Sequence, residues 1–276
     1  MDQEDKATLF RELHVPGDPF IIPNAYDVGS AKMLAGLGAK AIATTSSGFA
    51  FTLGRPDMGN VIRDEMLDHC EDIARAVKVP VSADLENGFA HDPDGVAETV
   101  ELAAQTGLVG CTLEDSTMES SQPSYDFEIA VARIAAAVEA AEALPIDFTI
   151  CARADGVLLG SYGVEEAIRR LQAFEEIGAH CVYCPMPPGM DDLAKICASV
   201  STPVNALCAG GFTKYSRDDF AKIGVARISI GGALARVTHS IVSEIGTAML
   251  GFGDFSGLSN TISASEVDKL MKAGEA

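Results

Sequence analysis

Positive charge is scarce in this chain: 20 lysines and arginines stand against 40 aspartates and glutamates, a formal net charge of −20. An acidic surface of that size repels phosphate backbones and anionic lipids, which argues against nucleic acid and membrane partners. It leaves room for an anionic small substrate, because one local cation inverts the field inside a cleft. Long apolar runs are missing as well, and none approaches membrane-spanning length. The opening MDQEDKATLF is charged and has no apolar signal-peptide core. No linker or low-complexity segment divides the chain. Cysteine forms no framework: there are seven, an odd number, and most lie in apolar surroundings, as Cys151 and Cys208 do. That pattern fits buried thiols in a reducing cytoplasm, the expected location. Cys181 and Cys184 form a C-x-x-C. In the strand-like HCVYC, however, positions three apart face opposite sides, so the pair reads as two buried structural thiols.

What is present is alternation. Apolar, β-branched runs lie at 20–23, 41–45, 80–84, 111–114, 148–152, 181–184, 203–206 and 227–230. Helical periodicity fills the intervals at 28–37 (after Asp27 as N-cap), 64–77, 93–106, 126–143, 164–177, 190–200 and 217–223, and 232–250 closes the series. Gly38, Gly178 and Gly224 follow helices where a left-handed C-cap is wanted. Eight strand-then-helix repeats in 276 residues predict an α/β fold, a (β/α)₈ TIM barrel, as a single domain over 1–276. A doubly wound open sheet uses the same alternation. The tail, 256–276, holds one more helix candidate at 265–272 that a barrel does not need. It is expected to pack on, or swap to, a neighbouring subunit.

Barrel chemistry sits at the C-terminal ends of the strands. The first ends in Asn24-Ala25-Tyr26-Asp27, the second in Thr45-Ser46-Ser47-Gly48-Phe49, the third in Asp84-Leu85-Glu86-Asn87-Gly88. The fourth ends in Glu114-Asp115-Ser116 and the fifth in Arg153-Ala154-Asp155; the seventh carries Asn205. The sixth, ending Pro185-Met186-Pro187-Pro188, presents no polar side chain. Asp, Asn and Ser are favoured in turns and N-caps anyway. That reading covers Asp27, Asp155 and Ser116 better than it covers Asp84, Glu86 and Glu114. In extended backbone Asp84 and Glu86 share a side, and with Glu114 on the next strand they crowd one small volume. Such an all-oxygen cluster suits Mg²⁺ or Mn²⁺; the alternative is a structural network with Arg153. With no histidine at a strand end, zinc is not expected. No lysine lies within a strand body, which removes Schiff-base chemistry. Arg153 is the one cation at these ends, and its planar fork matches a carboxylate or phosphate. A sharp turn at Ser47-Gly48 can aim amides at an anion.

Taken together, "PNAYD", "TTSSGF", "GRPD", "ADLENGF", "LEDS" and "ARAD", in this order between Pro23 and Asn205, resemble the isocitrate lyase and phosphoenolpyruvate mutase superfamily. The resemblance implies a TIM barrel, an assembly of helix-swapped dimers into a homotetramer, and chemistry through a pyruvate enolate held by Mg²⁺. By the same resemblance Asp84 is the direct metal ligand. Glu86 and Glu114 hold metal-bound waters, and Asp57 is a further acid beside the metal and substrate. Ser46, Ser47 and Gly48 clasp the substrate carboxylate. Arg153 binds substrate and acts in catalysis, and Tyr26 and Asn205 line the site.

The chain departs from the family pattern in two places. The segment after LEDS, Thr117 to Tyr125, has no Cys, Lys, His or Asn. Relatives carry Cys or Lys and Asn there. The sixth strand end lacks their polar residue. Both departures argue against isocitrate-type cleavage and phosphoryl migration by the family's usual acid. A Mg²⁺-dependent carbon–carbon lyase or decarboxylase of a small 2-hydroxy or 2-oxo di- or tricarboxylate remains, with Tyr125, Glu119 or water as proton source. Phosphonate chemistry (mutase or phosphonopyruvate hydrolase) and a non-catalytic 2-oxo acid binder are the competing readings.

Overall fold

Pro23 sets the seam of the fold. Without an amide hydrogen it interrupts the first strand, leaving β1 (Phe20–Ile22) and β2 (Asn24–Ala25) in the computed structural model, which describes residues 1–275. β1 pairs with the last strand and β2 with the next in sequence, so the two halves form one stave. The other staves are β3 (Ile42–Thr44), β4 (Val81–Asp84), β5 (Gly110–Glu114), β6 (Thr149–Arg153), β7 (Cys181–Tyr183), β8 (Val204–Leu207) and β9 (Arg227–Ser229). All pairings are parallel and run in chain order around the sheet. Nine strands in eight staves make the barrel, and the open-sheet alternative falls away. Asn24 staples the seam: its Nδ2 donates to the Thr44 carbonyl at 2.7 Å, and its Oδ1 accepts from Ile230 and Gly231 N–H at 2.9 and 2.8 Å.

The helices fall where the periodicity places them, with ends shifted by a residue or two. Asp27 caps Val28–Gly36 through a reciprocal box with Ser30. Gly38, Gly178 and Gly224 all take the left-handed backbone of a helix C-cap, as at Gly38 with φ 98°. Three helices were not anticipated. Gln3–Glu12 buries Ala7 and Phe10 against the barrel floor. Ser46–Thr52 begins inside TSSGF, so that stretch is a helical first turn capped by Thr45 instead of an isolated sharp turn. Gly156–Leu159 is a single turn after β6.

Strand alternation divides the core. Outward residues such as Ile42, Leu113, Ile150, Val182 and Ile228 pack under the helices in one large apolar cluster. Cys184 joins that cluster, while Cys181 faces inward beside Cys151. The C-x-x-C is thus split as its spacing predicts, and all seven cysteines are free thiols.

The tail helix Ala264–Gly274 lies on Val28–Gly36 of the same chain. Its end is tied by a Lys32–Glu275 ion pair and a bridge between Val77 and Glu275. The helix Ala233–Phe252 buries only Ala235. Among the described residues no helix is long and apolar enough to cross a membrane.

Candidate active site

A cleft of about 450 Å³ opens at the C-terminal ends of the strands, and the polar strand ends converge on it. Its centre is Arg153, at the end of β6. Nη1 meets Asp84 Oδ1 at 2.9 Å, Nη2 meets Glu114 Oε2 at 2.9 Å, and Nε and Nη2 reach Asp155 at 3.1 and 2.7 Å. Register explains the grouping, because Glu114 and Arg153 are direct neighbours across β5 and β6. Burial alone lowers a guanidinium's pKa, but Asp155, Glu114 and Asp84 outweigh it and hold Arg153 firmly charged. Asp84 also accepts from Ser46 N–H at 3.0 Å, Ser46 Oγ at 2.8 Å and Thr112 Oγ1 at 3.3 Å.

One arginine does not balance this many acids. Burial, and then Asp84, push the Glu86 carboxyl up to about 7. Burial raises Glu114 well above the ordinary carboxylate range and raises Asp155 too, against the pull of Arg153. Asp57, at the exposed mouth, rises from burial and from Asp84, partly offset by the Met58 N–H it accepts. These shifts describe a site short of positive charge.

Glu86 reaches the cleft by a route strand alternation does not supply. β4 ends at Asp84, and Glu86 has φ 48° in the left-handed region. Five non-glycine residues among those described have positive φ. Four of them, Met58, Glu86, Met118 and Met186, line this cleft. Such conformations cost free energy and concentrate where function holds them.

Among the anticipated residues, Ser46, Ser47, Asp57, Asp84, Glu86, Glu114, Arg153 and Asn205 line the cleft. Four do not. Tyr26 and Gly48 pack against each other, the Tyr26 Cβ lying 2.8 Å from where a Gly48 Cβ would stand. Glu119 is exposed on its loop. Tyr125 is buried on the far side of the sheet, its hydroxyl bonded to His91 Nδ1 at 2.7 Å and Asn87 Nδ2 at 3.2 Å. The reason is the path of the loop. The 117–125 segment folds back as a tight loop, with Thr117 N–H on Pro123 O and Tyr125 N–H on Asp115 O. Only Met118 from this segment lines the cleft.

The expected direct convergence of Asp84, Glu86 and Glu114 is also modified. Arg153 stands between Asp84 and Glu114, and among the described residues no three acid, histidine or cysteine groups could enclose a metal ion. The sixth strand end is not devoid of polar groups. β7 ends at Tyr183, which faces inward with the Arg153 guanidinium 5.3 Å from its ring centre. Its signal was the inward phase shared with Cys181, two residues earlier. Arg227 and Ser229, polar members of the apolar run ARISI, and Arg236 at the mouth complete the lining.

Comparison with known proteins agrees with this geometry. Residues 10–250 match the family described as phosphoenolpyruvate phosphomutase. A solved structure from Burkholderia cenocepacia J2315, assigned by name alone to the lyase/mutase class, is 42% identical. It superposes with a TM-score of 0.92 over 97% of this chain and 95% of its own. The 2,3-dimethylmalate lyase of Eubacterium barkeri is 28% identical over 96% of this chain and 93% of its own. The oxaloacetate decarboxylase of Pseudomonas putida (strain GB-1) is 26% identical over 84% and 80%. On the barrel, the cleft and these matches, the chain belongs to the phosphoenolpyruvate phosphomutase family.

Proposed function

We propose that the chain is a Mg²⁺-dependent carbon–carbon lyase or decarboxylase, acting on a small 2-oxo or 2-hydroxy di- or tricarboxylate through a pyruvate-type enolate. The carrying observation is the charge imbalance of the cleft: Asp84, Glu114 and Asp155 surround Arg153, Glu86 lines the same cleft, and three of these four acids are pushed up in pKa. A hard divalent cation fits that oxygen set. Asp84 would hold Mg²⁺ (or Mn²⁺), with Glu86, Glu114 and Asp57 placed to reach it through water. Mg²⁺ keeps several waters and takes one or two carboxylates, so it needs no closed protein cage. When bound, it supplies Lewis-acid stabilisation of developing negative charge.

The chain's own residues do the remaining work. Arg153 and the hydroxyls of Ser46 and Ser47 bind and orient the substrate carboxylate. Glu86 lines the cleft with Asp84 and is a carboxylate placed to take a proton from a 2-hydroxyl. Burial raises the Tyr183 phenol, so its O–H stays available as a donor. Because the 117–125 segment brings only Met118, no titratable side chain enters from that loop. Decarboxylation, which needs an electron sink and one proton but no acid at the bond being broken, suits this best.

A homo-oligomer is part of the same reading. It is supported by Val237, Ile241, Val242, Leu250 and Phe252, all exposed on Ala233–Phe252. Light scattering on a sizing column tests it.

The activity test is a proton and phosphorus NMR panel with Mg²⁺. It holds oxaloacetate, 2,3-dimethylmalate, 2-methylisocitrate and phosphonopyruvate, each beside Asp84→Ala. Pyruvate from a carbon-only acid, absent in the variant, is the expected result. Turnover of phosphonopyruvate alone would transfer the site to phosphonate chemistry. Saturable binding without turnover would make it a 2-oxo acid binder. Full turnover in Asp84→Ala would remove the metal assignment.

A further inference from the structure

We propose that Arg227 anchors a second anion subsite, on the wall facing Arg153, which receives the distal acid group of a diacid substrate. The proposal rests on reading the cleft as a site for small carboxylic acids; what it adds is the place and the residues. Arg153, Tyr183, Asn205 and Arg227 are successive Cα neighbours across β6, β7, β8 and β9. The two arginines are three steps apart around eight staves, so they stand on nearly opposite walls of the lumen. All four residues line the same cleft, and Ser229, two residues after Arg227 on the same face, lines it as well.

The surroundings of Arg227 are unusual for a buried cation. It is 2% exposed. Its Nε donates to Asn205 Oδ1 at 2.9 Å, and its Nη1 lies 3.3 Å from His14 Nε2. Asn205 Nδ2 is in turn committed to Ser229 Oγ at 2.9 Å, which orients the amide oxygen toward the guanidinium. His14 Nδ1 is committed to the Phe10 carbonyl at 2.8 Å, so Nε2 is the acceptor. Burial, and then the charge of Arg227, hold that imidazole down at about 3, hence neutral. Among the described residues no carboxylate pairs with Arg227; the groups that act on it are the Cys151 and Cys181 thiols and Tyr183.

A buried guanidinium held only by neutral dipoles is costly. A chain with twice as many acids as bases has placed none of those acids beside it. Arg153 shows the contrast, with three acids around one guanidinium in the same lumen. The geometry therefore leaves the counter-charge of Arg227 to a group that arrives through the cleft. A carboxylate suits the planar fork. A 2-oxo or 2-hydroxy acid clasped at Arg153 and Ser46 would send a second carboxylate across the lumen to Arg227. The rival counter-charge is Cys151: burial raises its thiol, but the Cys181 hydrogen bond and Arg227 lower it further.

The test is calorimetric binding with Mg²⁺, using pairs that differ by one acid group: pyruvate against 2-oxoglutarate, and lactate against malate. The wild-type chain is expected to prefer each diacid by about tenfold or more. Arg227→Gln should erase that preference while leaving pyruvate and lactate affinity within about twofold. Asn205→Leu, which removes the orienting oxygen but keeps the charge, should reduce the preference part-way and serves if Arg227→Gln does not fold. Equal affinity for mono- and diacids in the wild type overturns the subsite and leaves the thiol as the counter-charge. Survival of the preference in Arg227→Gln, or in Asn205→Leu where only that variant folds, also overturns it. If none of the four acids binds the wild type, the carboxylic acid reading of the cleft fails first and the subsite falls with it.

Discussion

Staves β4 to β6 bring Asp84, Glu114 and Arg153 to the cleft, with Glu86 and Asp155 just beyond the strand ends. Staves β7 to β9 bring Tyr183, Asn205, Arg227 and Ser229 to the same cleft. The first half has more acid than its arginine can neutralise, and burial pushes those acids up in pKa. The second half has a buried arginine with no acid at all. Each half is electrically incomplete in the opposite sense. In a low-dielectric lumen neither deficit is screened by water, so each half is completed from outside, one by a cation and the other by an anion.

The comparison can be broken most forcefully at Arg153. Arg153→Gln removes the cation from among three acids and leaves them buried without a partner. That should cost about 3–5 kcal/mol, read as a lowered urea midpoint, and abolish turnover. Arg227→Gln leaves no acid behind and should cost less. Equal costs would mean that the two halves do not differ as described.

Glu86 sharpens the acidic half through pH. Its folded pKa, about 7, lies above its ordinary value of 4.5. Between those values the folded state of the metal-free protein holds a proton that the unfolded state has released. From this group, stability should therefore fall as pH rises through this window, by up to about 3 kcal/mol. Thermal melts of Glu86→Gln should lose that slope and lie above wild type at pH 8. Saturating Mg²⁺ should flatten it in the wild type. A slope that persists unchanged in Glu86→Gln would assign it to another acid.

Two tyrosine deletions give the smaller effects. Tyr183→Phe removes a hydroxyl from the β7 to β9 half of the cleft and should lower kcat by about tenfold. Tyr125→Phe removes one from outside the cleft; it should cost about 1 kcal/mol of stability and leave kcat within about twofold. Steady-state kinetics with denaturant melts separates the two. A larger kcat loss in Tyr125→Phe than in Tyr183→Phe would reverse the placement of the proton donor.

Much of this was legible before the structure. The staves, the Asp27 cap and the glycine C-caps follow from periodicities and φ preferences that act over a few residues. The polar strand ends pointed to the cleft because barrel geometry sends them all to one face. Tyr125 was misplaced because its direction depends on how 117–125 folds back onto Asp115, which no local pattern encodes. Tyr183 is hard to find from the sequence because its stave reads as ending among the prolines, although its inward phase with Cys181 is visible.

The sequence by itself determined the alternation of strand and helix, the excess of acid and the set of residues that gather at the strand ends. These are properties of composition and of short-range backbone geometry. Only the tertiary structure decided which charges meet. Glu114 faces Arg153 and Asn205 faces Arg227 because of strand register, which is set by packing between distant segments. Closing eight staves at the Pro23 seam is what carries Arg227 round to the wall facing Arg153.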